Sequence, residues 1–129
     1  MTGSKAFVAF AVELLSRVGP VRARAMFGGH GIYCGDLMIG LVDDDEIFLK
    51  TDDGTRPRFE AEGCRQWVYT GGKKETRTSY FRPPDGAHES PEEMEPWGRL
   101  ALEAARRAAA AKRAKGSEKK GTAGKKATR

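Results

Sequence analysis

Short apolar runs separated by turn signals constrain this chain more than any other feature. Gly35-Asp36 separates Ile32-Tyr33 from the apolar run 37–42, and Asp43-Asp44-Asp45 separates that run from Ile47-Phe48-Leu49. Farther along, Gly71-Gly72-Lys73 divides residues 67–70 from residues 76–81. Glycine and aspartate tolerate the left-handed backbone that tight turns require, so each pair of runs is predicted to fold back as an antiparallel hairpin. Upstream, residues 21–27 alternate loosely, with Arg22 and Arg24 set against Val21, Ala23 and Ala25. They lead into Phe27-Gly28-Gly29-His30-Gly31-Ile32-Tyr33, read as one strand made irregular by glycine, where backbone can approach another group closely.

Helices flank these strands. Ser4 is a plausible N-cap, followed at helical spacing by Phe7, Phe10, Ala11, Leu14 and Val18, and Gly19-Pro20 is a stop signal, so a helix is predicted over 5–18. Residues 57–62, closed by Gly63, read as a two-turn helix. At the far end Ser90-Pro91-Glu92-Glu93 is a capping box, yet Pro96 would then fall inside the helix at a cost of about 3 kcal/mol. The expectation is therefore a short turn at 91–95 and a main helix from Pro96, with Trp97, Leu100, Ala101, Ala104 and Ala108 on one face and Gly116 as its end. The resulting order is α-β-β-β-α-β-β-α: an α+β fold of two layers, an antiparallel five-stranded sheet with helices packed on it.

Charge divides the chain differently. The net charge is +5 over 129 residues, but residues 112–129 hold eight basic side chains and one acid, Glu118. The remaining 15 basic and 17 acidic side chains leave residues 1–111 at −2. The division is thus a domain at 1–112 and a basic tail at 113–129, predicted to be disordered because it holds no residue able to anchor a core. Lys112, at the end of the domain, and Arg113, Lys115, Lys119, Lys120, Lys125, Lys126 and Arg129 of the tail are the candidate nucleic-acid contacts. If all met phosphates, the salt slope of binding would approach roughly −7, and the binding would read no base edges. Eleven residues, 25–35, form the longest uncharged stretch, too short to span a bilayer. With two lone cysteines, Cys34 and Cys64, and no cleavable leader pattern, a cytoplasmic location is expected.

No motif carries chemistry. Gly29-x-Gly31 has Cys34 where a third glycine would complete a nucleotide loop, and Lys74 stands where a P-loop needs Ser or Thr. His30 and Cys34 share a strand face at their spacing, but two ligands make no zinc site. A nucleophile reading of Cys34 with His30 and Asp36 rests on local coincidence alone. Asp43-Asp44-Asp45-Glu46 lacks the alternation of a calcium loop. Neither metal nor cofactor is expected, and no enzymatic activity. Trp67, Tyr69, Tyr80 and Phe81 interleave with Arg65, Lys73, Lys74, Arg77 and Arg82, as in single-strand binders. The acidic body favours the plainer expectation, in which Trp67, Tyr69 and one of Tyr80 and Phe81 pack under helices.

The run Met26-Phe27-Gly28-Gly29-His30-Gly31-Ile32-Tyr33, then Leu41-Val42 and Ile47-Phe48-Leu49-Lys50-Thr51-Asp52, resembles the TfoX N-terminal domain family. Thr78-Ser79-Tyr80-Phe81 and Ala101-Leu102-Glu103-Ala104-Ala105 extend the resemblance over about residues 5–112. It implies a two-layer α+β fold similar to secretion chaperones, no catalytic residues, and a part in regulating competence genes for DNA uptake in bacteria. His30 stands where the family commonly has an aromatic residue, and a lysine-rich tail stands where full-length members carry a helical second domain. The expected interaction surface is Phe27, Gly28, Gly29, His30, Gly31 and Tyr33 with the adjoining sheet edge. Expected partners are an unidentified protein, DNA held weakly and non-specifically by the tail, or a second copy through a sheet or helix face, and no membrane.

Overall fold

Ser4 takes the N-cap position, its Oγ accepting from the Phe7 amide at 3.1 Å. The computed structural model describes residues 4–26, 29–69 and 75–121, with side chains through Ala114. From the cap, α1 (Lys5–Leu14) turns Val8, Ala11 and Leu14 inward, and a 3-10 turn (Ser16–Val18) completes the predicted helix before Gly19-Pro20. Phe10, expected on the buried face, is 40% exposed beside Phe7.

Six antiparallel strands form the sheet where five were expected. They are β1 (Val21–Met26), β2 (Gly29–Cys34), β3 (Leu37–Asp43), β4 (Glu46–Lys50), β5 (Gln66–Tyr69) and β6 (Thr76–Phe81), in the order β1-β2-β3-β4-β6-β5. The extra strand comes from residues 21–33, read as one strand but folded as two. Met26 pairs with Gly29 and Val21 with Cys34, so the chain reverses between them. Phe27 and Gly28 lie outside the described residues, as do Gly71, Gly72 and Lys73 of the third predicted turn. The other two turns match their sequence: Gly35 has φ +64°, and Asp44 and Asp45 have φ 54° and 57°. Asp45 also accepts the Ser4 amide at 2.8 Å, tying that turn to the start of α1.

Strand alternation gives the sheet two unlike faces. One carries Ile32, Ile39, Val42, Ile47, Leu49 and Phe81 against α1, α2 (Arg56–Ala61), a 3-10 turn (Asp85–Glu89) and α3 (Pro91–Gly121). Phe59 of α2 anchors this layer, its ring 5.0 Å from Trp97 and 6.0 Å from Phe81. The other face carries Arg22 and Arg24, then Tyr33, Met38, Leu41, Phe48, Lys50 and Tyr80. No helix of the described residues packs on it. It is covered in part by the sheet itself. β6 pairs with β4 through only two residue pairs, Leu49↔Phe81 and Lys50↔Tyr80, which leaves the β5–β6 ribbon free to curl over. Trp67 of β5 thus reaches Phe48 at 6.1 Å and donates from Nε1 to Asp43 at 3.0 Å. Leu41 and Phe48 are buried beneath it.

α3 corrects two expectations. It begins at Pro91 with Pro96 inside it, and it runs past Gly116 to Gly121. The first turn survives the lost Pro96 amide because it is held from several sides. Ser90 Oγ caps the Glu93 amide at 3.2 Å, Met94 is fully buried, and Glu95 receives both Arg17 and Arg99. Tertiary packing here outweighs a local penalty of about 3 kcal/mol. Ala108, expected on the buried stripe, is exposed, while Ala101, Ala104 and Ala105 are buried. No helix of the described residues is long and apolar enough to cross a membrane.

Candidate functional site

The predicted surface divides when placed on the fold. In β2, Gly29, Gly31 and Tyr33 project toward the helix-free face, whereas His30 points with Ile32 toward the helices. His30 Nδ1 is buried there without a hydrogen-bond partner among the described residues. The glycines do have a backbone-proximity reason, and it lies inside the sheet. A Cβ on Gly29 would stand 2.4 Å from the Val42 carbonyl oxygen. One on Gly31 would meet the sulfurs of Met26 and Met38 and the Tyr33 ring, at 2.9, 3.3 and 3.0 Å.

Tyr33 is the centre of a cluster that sequence reasoning passed over. Arg22 lies opposite Tyr33 in the β1–β2 register, and Arg24 lies two residues along on the same face. Both guanidiniums sit over the Tyr33 ring, 5.3 and 5.8 Å from its centroid. On the same face the Lys50 ammonium lies 5.2 Å from the centroid of the Tyr80 ring. Burial pushes the Tyr80 phenol above its ordinary pKa, with the Tyr33 phenol adding to the shift. Trp67 continues the aromatic surface, its ring 6.5 Å from Tyr80 and 5.7 Å from Tyr69. Of the four late aromatics, then, only Phe81 packs under helices. Trp67, Tyr69 and Tyr80 share the face with the cations. The available signal was the Arg-x-Arg alternation beside Tyr33, legible only once residues 21–33 are divided into a hairpin.

Other candidates are not assembled. His30 and Cys34 lie about 13 Å apart along β2 at ~3.3 Å per residue, and Asp36 is exposed in the turn beyond. Cys34 packs at Gly19, and Cys64 is a free thiol whose pKa burial pushes up. Among the described residues no group of three His, Cys, Asp or Glu side chains could hold a metal. A hollow of about 340 Å³ beside Cys64 contains Arg65 and Arg82, but Glu46 and Asp85 already engage them. In the tail, Lys112 and Arg113 are exposed on α3. The backbone at Lys115, Lys119 and Lys120 continues that helix, their side chains lying outside the described residues, as do Lys125, Lys126 and Arg129 altogether.

A family model described as the TfoX N-terminal domain matches residues 13–105, which hold the whole sheet and the Tyr33 cluster. The chain belongs to the TfoX N-terminal domain family. One curated relative is the DNA transformation protein TfoX1 of Aliivibrio fischeri (strain ATCC 700601 / ES114). It is 28% identical over 69 residues, which are 54% of this chain and 33% of that protein. The chain thus matches about a third of that relative's length. For the TfoX N-terminal domain in this chain, a sheet with one helix-covered face leaves the tyrosine–cation face as its most distinctive free surface.

Proposed function

We propose that this chain is a non-enzymatic binding module acting in the regulation of DNA transformation, in the cytoplasm of a bacterium. Family membership and the relative named for DNA transformation support the process. The observation that carries the mode of action is the tyrosine–cation cluster on the face without a helix. Its groups are recognition groups. Guanidiniums stay charged at any physiological pH, and a phenol with a raised pKa moves no proton near neutrality, where general acid–base catalysis needs a poised group. In this reading the macromolecular partner docks on β1, β2 and the adjoining rings, the region expected from the glycine run, with Tyr33 rather than the glycines making contact. The test is genetic. Deleting the gene in its host should lower transformation by added DNA, and wild-type chain should restore it while Arg22→Glu/Arg24→Glu should not. Unchanged transformation in the deletion strain refutes the reading.

A second reading rests on the basic residues of 112–129, which would hold nucleic acid non-specifically. It predicts a salt slope near −7, against a slope of about −1 or −2 if only a few cations contribute. Replacing the eight tail cations with glutamine in the full-length chain should then abolish DNA retardation in gels.

A further inference from the structure

The arginines of the folded body differ in what engages them. Arg17, Arg56, Arg65, Arg82, Arg99 and Arg107 each pair with a carboxylate. Arg22, Arg24 and Lys50 instead lie over tyrosine rings, and none has a carboxylate within 4.0 Å among the described residues. The distinction matters for what each can bind. A guanidinium spent on a carboxylate offers a second anion little, because its charge is cancelled and its N–H edge is used. A cation held over a ring keeps its charge and leaves N–H groups free for charge-assisted hydrogen bonds. The body's net −2 therefore misrepresents this face, where three cations stand together. Of the nearby carboxylates, Glu46 is paired with Arg65 and Arg82, while Asp43 accepts from the neutral Trp67 Nε1 and keeps its charge.

Geometry adds the second half. Arg22 and Arg24 are two residues apart on an edge strand, about 6.6–6.8 Å along the chain. They thus form a row at the rim and not a single point charge. Inside the rim lie the half-buried rings of Tyr33, Tyr80, Trp67 and Tyr69, anchored to one another and to the buried Phe48. A row of free cations beside a platform of rings is complementary to a chain with regularly spaced anions and flat unpaired bases. A duplex would satisfy the cations and leave the rings idle, since its bases are stacked on each other. An acidic peptide would do the same.

We infer that the Tyr33–Tyr80 face binds single-stranded DNA, with Arg22, Arg24 and Lys50, seated on the Tyr33 and Tyr80 rings, at the phosphates and the Trp67 and Tyr69 rings against the bases. The commitment to DNA rests on the proposed role in transformation; the single-strand preference rests on the face alone.

Titration of full-length chain with a thymidine 20-mer, followed by tryptophan fluorescence, tests this directly. The tail is taken out of the comparison by a full-length variant with its eight cations changed to glutamine. That variant should still bind, with quenching of the tryptophan emission that a Trp97→Phe background assigns to Trp67. On that background Arg22→Ala/Arg24→Ala should weaken binding at least 10-fold, Lys50→Gln several-fold, and Tyr33→Leu at least 10-fold, while Tyr33→Phe should keep it. Circular dichroism checks that each variant is folded; if Tyr33→Leu is not, the exposed-arginine pair decides. The inference is overturned if the tail variant loses all binding, or if the arginine pair is silent. It is equally overturned if a duplex or polyglutamate competes as well as the single strand, or if a uridine 20-mer binds 10-fold tighter. Loss of transformation on gene deletion without DNA binding sinks this inference alone. DNA binding with a silent deletion sinks the regulatory reading alone.

Discussion

Substituting alanine at Gly29 and at Gly31 should give sharply different results, although both glycines sit in one strand two residues apart. At Gly29 the added Cβ would lie 2.4 Å from the Val42 carbonyl oxygen, whereas ordinary contact begins at 3.4 Å. The neighbour is backbone of β3, so relief requires β2 and β3 to separate by about 1 Å at their end. Overpacking of that kind costs about 1–3 kcal/mol, and the weakened hydrogen bond beside it about 1 more. The smaller conformational freedom of alanine in the unfolded chain returns about 0.4–1 kcal/mol. The net expectation is a loss of about 1–3.6 kcal/mol. With a urea m-value of roughly 2 kcal/mol/M, the unfolding midpoint should fall by about 0.5–1.8 M. At Gly31 the neighbours are two methionine sulfurs and a ring edge, at 2.9, 3.3 and 3.0 Å. Thioethers rotate away cheaply, so Gly31→Ala should cost under about 1 kcal/mol. Urea unfolding followed by circular dichroism measures both. A Gly29→Ala midpoint within about 0.3 M of wild type, or Gly31→Ala the more damaging change, would refute the reasoning.

Other perturbations follow from the same structure. Asp52 is held at a pKa of about 2 chiefly by hydrogen bonds from Arg107, against burial. Because the folded value is depressed, its stabilisation is fully present above about pH 4 and is lost as pH falls toward 2; urea midpoints over that range should flatten in Asp52→Asn. Pro96→Ala restores an amide to the first turns of α3 at an exposed position, and should raise the melting temperature by several degrees. Asp44 is in the left-handed region at φ 54°, so Asp44→Gly should stabilise by up to about 1 kcal/mol and Asp44→Val should destabilise by about 1–2, read by thermal melts.

How much of this was legible depends on which contacts decide each feature. The turns at Gly35-Asp36 and Asp43-Asp44-Asp45 were legible because a left-handed backbone is a local demand that few residues meet. The α1 cap and stop were legible for the same reason. The β1–β2 turn was missed because Phe27-Gly28-Gly29 carries no alternation change on its two sides, and only the pairing of Arg22 with Tyr33 distinguishes a hairpin from one strand. Pro96 was misread because the compensation comes from Arg17, Leu15 and Val18, some eighty residues earlier in the chain. Tyr80 and Phe81, being adjacent on a strand, had to face opposite ways. Which of them faced the helices was set by the pairing of Leu49 with Phe81, a fact of register across distant strands.

The glycine run shows how a local rule can be satisfied inside the sheet itself. Glycine in a strand calls for a nearby group that a side chain would strike, and an unidentified ligand is one such group. Here the Val42 carbonyl and the Met26 and Met38 sulfurs fill that role, so the glycines need no ligand to explain them. On the proposed reading their effect on binding is indirect. Gly31, lacking a side chain, lets the Met26 and Met38 side chains and the Tyr33 ring close over β2, and that positions Tyr33 beneath Arg22 and Arg24. A larger residue at 31 should therefore disturb the cation cluster before it disturbs the fold. Gly31→Val would separate these: a thermal midpoint lowered only modestly, with DNA-dependent tryptophan quenching lost, is the expected pair. Loss of both together would mean that Gly31 serves the sheet itself, and loss of neither that the tyrosine–cation face does not depend on it.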